Sequence, residues 1–207
     1  MRKKTAIFIG LFVSLLAGIC YGQDFRVINP KFQRITIDQG LSQNSIQKIL
    51  QSPRGFMWIA TKDGLNRYDG YRFETYRKSA KSEISLSDNF IETIFFDSKG
   101  ILWIGTNSGG LDKFDIENKK IVNIRLQCKI SNTPAREIRD IIEDKSGYLW
   151  ISTNGCGLFR YNLKDGSYQN FMVEIPEEEN TPENQRVLRP SYNFIRNISI
   201  DKNGTIL

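Results

Sequence analysis

The phrase Gly-x-x-Trp-Ile-x-Thr occurs three times, as Gly55–Thr61, Gly100–Thr106 and Gly147–Thr153. Its tryptophans, Trp58, Trp103 and Trp150, lie 45 and 47 residues apart. Each copy runs on to a Leu, a Lys or Arg, an aromatic, then Asp or Asn. A period in the mid-forties with turn residues at fixed offsets marks repeated four-stranded units, the pattern of β-propeller blades. Function must then be read from an array of blades.

The register is fixed on both sides of each tryptophan. Ile46, Ile91, Ile138 and Ile195 lie 12 residues before Trp58, Trp103, Trp150 and Leu207. Between them fall the turns Ser52–Gly55, Asp97–Gly100, Asp144–Gly147 and Asp201–Gly204. A four-residue turn ending in Gly suits a type I turn plus a left-handed residue, with Asp bonding the backbone locally. A second hairpin follows each Trp phrase, so every unit reads as four strands. Flanking apolar residues such as Met57 and Ile59 put each tryptophan in a strand buried on both faces, filling the gap between blades. That reading is preferred to an exposed sugar-stacking platform. Trp58, Trp103, Trp150, Gly55, Gly100 and Gly147 are thus the expected repeat core.

The expected fold is all-β: an incomplete β-propeller of about three and a half four-stranded blades, preceded by a signal peptide. The units fall at 1–22 (signal peptide), 23–40 (N-terminal segment with an orphan outer strand at 32–37), 41–77 (blade 1), 86–126 (blade 2), 134–173 (blade 3), 174–190 (insertion loop) and 191–207 (truncated blade 4). An orphan outer strand commonly completes the last blade of a ring and removes its free edges. The last hairpin stops inside its second strand, so the sequence reads as an N-terminal fragment whose remaining blades are its first partners.

Arg2, Lys3 and Lys4 precede an apolar run from Ala6 to Ile19, and Cys20 and Gly22 supply small residues for cleavage. This predicts export rather than lipidation, since bulky Ile19 precedes Cys20. Without residues 1–22 the formal charge falls from +6 to +3. No basic run with interleaved aromatics remains to track a phosphate backbone, so no nucleic-acid contact is expected. Cys128 and Cys156 could pair in an oxidising compartment, or Cys156 could be a small buried filler; the sequence leans to the filler. The chain has no histidine, which excludes a phosphoacceptor imidazole, a Ser-His-Asp triad and most zinc sites.

At Gly100–Asp115 the sequence Gly-Ile-Leu-Trp-Ile-Gly-Thr-Asn-Ser-Gly-Gly-Leu-Asp-Lys-Phe-Asp resembles the two-component regulator propeller repeat. Gly55–Asp69 and Gly147–Asn162 resemble it too, as does the opening Gly40–Ile46. The lead Ser42-x-Asn44-x-Ile46 recurs as Ser87-x-Asn89-x-Ile91 and Ser191-x-Asn193-x-Ile195, whereas blade 3 has Pro134–Ile138 instead. The first blade's Thr61–Gly64 turn is one residue shorter than its siblings. The resemblance implies the periplasmic sensor region of a hybrid two-component histidine kinase, the extracytoplasmic part of an inner-membrane protein. It further implies recognition of glycan-derived oligosaccharides, a homodimer of the full-length sensor, and control of polysaccharide-utilisation genes through kinase and output domains outside this sequence.

No catalytic residue, cofactor or metal site is expected. The phrase is near the Asp-box of sialidase-like enzymes, but Asp97 lies three residues before Gly100 rather than two. A glycosidase needs two converging carboxylates, and the scattered turn aspartates give no pair. Asp97, Asp144 and Asp201 offer too few oxygens for calcium and read as turn residues. The alternative class is a secreted propeller glycoside hydrolase or lyase. If a ligand binds, the loops after the Trp strand present Lys62, Asp63, Asn107, Ser108 and Asn154 for hydrogen bonding, with Tyr68 or Tyr71 for stacking. The same residue types also make ordinary hairpin turns, the reading the sequence alone favours.

Overall fold

The computed structural model describes residues 32–82, 84–172 and 193–207. The signal-peptide segment 1–22 and the insertion loop 174–190 lie outside them. The chain divides into two units, 1–34 and 35–207. The first is described only at 32–34, which are irregular.

The second unit holds three antiparallel four-stranded sheets, each in sequence order from one edge to the other. Blade 1 is β1 (Ile46–Gln51), β2 (Met57–Thr61), β3 (Gly64–Tyr68) and β4 (Phe73–Tyr76). Blade 2 is β5 (Ile91–Phe96), β6 (Leu102–Thr106), β7 (Leu111–Asp115) and β8 (Lys120–Ile124). Blade 3 is β9 (Ile138–Glu143), β10 (Tyr148–Thr153), β11 (Leu158–Asn162) and β12 (Tyr168–Phe171). The first strands β1, β5 and β9 lie side by side, as the inner strands of a propeller do. Residues 193–207 begin a fourth unit, whose hairpin pairs Ile200 with Ile206.

The hairpin turns form as their residues dictate. Gly55, Gly100, Gly147 and Gly204 sit at φ between 80° and 87°, the left-handed region open to glycine. Asp97 and Asp144 each accept two amides of their own turn and the indole N–H of their tryptophan, at 2.8 Å in both blades. For Asp144, burial pushes the pKa up, but the donors from Trp150, Tyr148 and Ser146 outweigh it and the net shift is down. These carboxylates are structural.

The blades stack through two cores. One joins Trp58, Ala60 and Leu65 of blade 1 to Ile91, Ile94, Leu102 and Phe114 of blade 2. The other joins Trp103 and Leu111 to Ile138, Ile141, Leu149 and Phe159 of blade 3. Trp58 and Trp103 are each 1% exposed and meet Phe114 and Tyr161 of the next blade edge-on. The third tryptophan departs from expectation: Trp150 is only half-buried and stacks on Phe171 of its own blade. Among the described residues no complete blade covers that side. Likewise Ile46 and Ile49 of β1 are 42% and 49% exposed, while Ile91, Ile94, Ile138 and Ile141 are fully buried.

The leads preceding the inner strands tie blades 1 and 2 to their own third strands, and tie blades 2 and 3 and the fourth unit to the blade before. Ser42 bonds Asn66 of β3, and Ser87 bonds Asp112 of β7. Blade 3, which lacks the serine, carries Phe159 at that ladder position, so both halves of the contact are missing together. The carbonyls of Asn89, Arg136 and Asn193 accept the amides of Gly64, Gly110 and Gly157 in the blade before.

Two expectations are corrected. No strand forms at 32–37: residues 32–36 are irregular, and a 3-10 helix occupies Ile37–Gln39. A reciprocal capping box of Thr36 and Gln39 and a left-handed Gly40 close the helical turn that stands at the end of the expected strand. Cys128 and Cys156 are bridged, with Cα atoms 5.3 Å apart. The bend after β8 carries Cys128 back against the turn between β10 and β11, a proximity that sequence spacing does not encode.

Asp112, fully buried, has its pKa raised by burial, against the lowering effect of Ser87 and Asn123. A carboxyl with a raised folded-state pKa holds its proton more tightly when folded. It therefore adds stability at low pH and subtracts it as pH rises past the ordinary aspartate value. Asp112→Asn, which installs the residue blade 1 uses at position 66, should gain on the parent as pH goes from about 4 to about 7. Thermal melts at both pH values check this; an advantage that shrinks with rising pH would contradict it.

Candidate functional site

Each inner strand contains the same irregularity. The ladder slips between Ile46 and Lys48, between Ile91 and Thr93, and between Ile138 and Asp140. The extra residues are Gln47, Glu92 and Arg139. A bulge re-aims a side chain and is over-represented beside functional sites. Here it turns the bulged residues toward the edge where the second-to-third-strand turns lie.

A polar network fills that edge. Arg139 pairs with Glu92 at 3.3 Å and with Glu137. Asn107 donates to Glu92 at 3.0 Å and to Glu137 at 3.4 Å, while Asn154 donates to Glu137. Arg139 Nε is buried and has no partner among the described residues. One residue deeper along the strands, Lys48 Nζ reaches Thr93 at 3.0 Å and Asp140 at 2.8 Å, linking three blades. Asp140 also accepts the amide of Ile198 from the fourth unit. Aromatic residues flank this mouth: Phe90 beneath Lys62, whose Nζ is 5.3 Å from the ring centre, and Phe194, 53% exposed and packed near Gly155.

The seven residues singled out in the sequence do not form one cluster. Asn107 and Asn154 converge on Glu137, and Lys62 lies at the same edge over Phe90. Ser108 shares the edge but is held by Asp88, whose pKa burial raises and the Ser108 hydroxyl and amide bring down on balance. Asp63 faces Arg77 at 3.0 Å. Tyr68 and Tyr71 belong to the opposite edge, because β3 runs the height of the blade between them and the Thr61–Gly64 turn. Tyr68 stacks on Phe73 at 4.5 Å, and Tyr71 is 92% exposed. Sequence reasoning missed Glu92, Glu137, Arg139, Lys48 and Asp140. A signal was present: Ile91 and Ile94, Ile138 and Ile141, and the other pairs are three apart, which a regular strand cannot place on one face.

Sheets stacked face to face through tryptophans, with inner strands side by side and a polar mouth, define a β-propeller repeat protein. The two-component regulator propeller pattern matches residues 40–63, 85–108 and 133–155, so the chain carries three copies of that repeat. Each match runs from the lead through the inner and Trp strands to the turn, the stretch that builds the mouth. Among solved structures, the extracellular domain of the hybrid two-component system BT3049 from B. thetaiotaomicron shares the fold, with a TM-score of 0.68 and 24% identity over 84% of this chain and 23% of that one. The extracellular domain of BT4673 from the same organism gives a TM-score of 0.65 and 25% identity over 86% and 24%. Histidine kinase P4 of Formosa agariphila is 32% identical over 84 residues, 41% of this chain and 6% of that protein. The chain therefore spans about a quarter of the solved domains and a small part of the kinase. No helix among the described residues is long and apolar enough to cross a membrane.

Proposed function

We propose that this chain is part of the ligand-sensing propeller of a hybrid two-component system. In this reading it is exported to the periplasm as the extracytoplasmic part of an inner-membrane protein. Its mouth recognises glycan-derived oligosaccharides, and kinase and output modules beyond this sequence switch polysaccharide-utilisation genes. The observation that carries the reading is the Arg139–Glu92–Glu137 network with Asn107 and Asn154, set beside Phe90 and Phe194. Planar charged and amide groups match vicinal hydroxyls, and aromatic faces match the apolar side of a sugar ring. The role is binding rather than catalysis. Among the described residues, Glu92 and Glu137 are held by Arg139 and the two asparagines, an arrangement that fixes them as positioned binding groups.

The test is calorimetric titration of the full chain with a panel of oligosaccharides. Binding is expected, weakened about tenfold or more by Arg139→Ala. A panel without a single binder, or an affinity unchanged by the substitution, would overturn the assignment.

A further inference from the structure

On the edge opposite the mouth, blade 1 departs from its siblings at one position of the repeat. In blades 2 and 3 the turn aspartate gathers donors. Asp97 Oδ1 accepts the amides of Lys99 and Ile101, both at 2.9 Å, and Oδ2 accepts Trp103 Nε1 at 2.8 Å. Asp144 does the same for Ser146, Tyr148 and Trp150. Blade 1 has Ser52 at that position. Its Oγ is buried without a partner among the described residues, and the residue is 9% exposed. The amides of Arg54 and Phe56, which stand where Lys99 and Ile101 stand in blade 2, have no acceptor side chain among the described residues.

These residues border a cavity. Ser52, Phe56 and Trp58 line a cavity of about 300 Å³ between blades 1 and 2, walled on the far side by Phe96, Ile101 and Ile116. Around its opening Arg54, Arg67 and Lys99 stand against Asp115 and Glu117, a net charge of +1. Glu117 pairs with Arg54, Asp115 is held by Asn118, and Arg67 lies over Phe56 while pairing with Glu74. The hollow on the same edge between blades 2 and 3 is instead lined by Asp97, Glu143 and Asp144.

We propose that the blade 1–blade 2 cavity binds a small organic acid with a flat apolar body. Its carboxylate takes the place that the aspartate carboxylate fills in blades 2 and 3. Ser52 Oγ, Trp58 Nε1 and the amides of Arg54 and Phe56 donate to it, and the apolar body lies against Phe56, Phe96 and Ile116. Burying a hydroxyl without a partner costs free energy, and a ligand that accepts from it recovers that cost. The site is complete within two whole blades and does not depend on what the mouth recognises.

Titration of the full chain with phenylacetate, phenylacetamide and acetate tests the proposal, read by calorimetry and by the indole N–H resonance of Trp58. Phenylacetate should bind and shift that resonance. The amide, unable to present a charged acceptor, should bind about tenfold or more weakly, and acetate weakly for want of an apolar body. Ser52→Asp supplies the carboxylate from the chain itself and should abolish phenylacetate binding while raising the melting temperature. Ile116→Trp, which fills the cavity from the opposite wall, should abolish binding without that rise. No response of the Trp58 resonance at about 10 mM phenylacetate, where even millimolar affinity would show, would overturn the proposal. So would equal binding of acid and amide, or binding that survives both substitutions.

Discussion

Trp103→Ala is expected to lower the unfolding free energy by about 3–5 kcal/mol, the range for emptying a large aromatic from a close-packed core. Trp103 is 1% exposed and sits between blades 2 and 3, packed edge-on against Tyr161 at 5.4 Å. Its removal opens a cavity at a blade interface and deprives Asp97, itself 6% exposed, of its indole donor. Trp150→Ala should cost distinctly less. That indole is half-buried and rests on Phe171 of its own sheet, at 5.8 Å. Denaturant unfolding of the two variants side by side makes the comparison. A loss at Trp103 no larger than at Trp150 would contradict packing between blades as the source of stability.

Removing the Cys128–Cys156 bridge, by Cys→Ser at both positions or by reductant, is expected to cost about 3–4 kcal/mol, the loop-closure estimate for its 28-residue separation. The bridge spans an interface: Cys128, 1% exposed, belongs to the core shared by blades 2 and 3, and Cys156 lies in the blade 3 turn. It thus pins the same pair of blades that Trp103 holds, and the two losses should not add. Reductant should shift the melt of the parent and leave the double serine variant where it is. Identical melts of the parent with and without reductant would rule the contribution out.

The Trp registers, the Asp turns and the four-strand units were legible in the sequence because short-range chemistry writes them. Asp97 bonds atoms within six residues, and Gly100 adopts its left-handed turn whatever surrounds it. The mouth was less legible, because it is assembled across blades. Glu92, Asn107, Glu137, Arg139 and Asn154 come from two sheets and meet only when inner strands align. The three-residue spacing of the inner-strand isoleucines did announce the bulges, but not where Arg139 would point. Tyr68 and Tyr71 follow Lys62 closely in sequence yet end on the other edge, since one strand of five residues separates the two turns. The bridge escaped for the same reason: two cysteines 28 residues apart carry no distance information until the sheets are stacked.

The ion pair between Lys48 and Asp140 gives the most direct test of the arrangement, because it joins blades 1 and 3 across 92 residues of sequence at 2.8 Å. Only inner strands arranged about a shared axis bring them together. Zero-length carbodiimide coupling of the native protein, mapped by mass spectrometry, should yield a Lys48–Asp140 isopeptide that disappears in denaturant. Native coupling of Lys48 to carboxylates of other regions, with none to Asp140, would contradict the propeller arrangement.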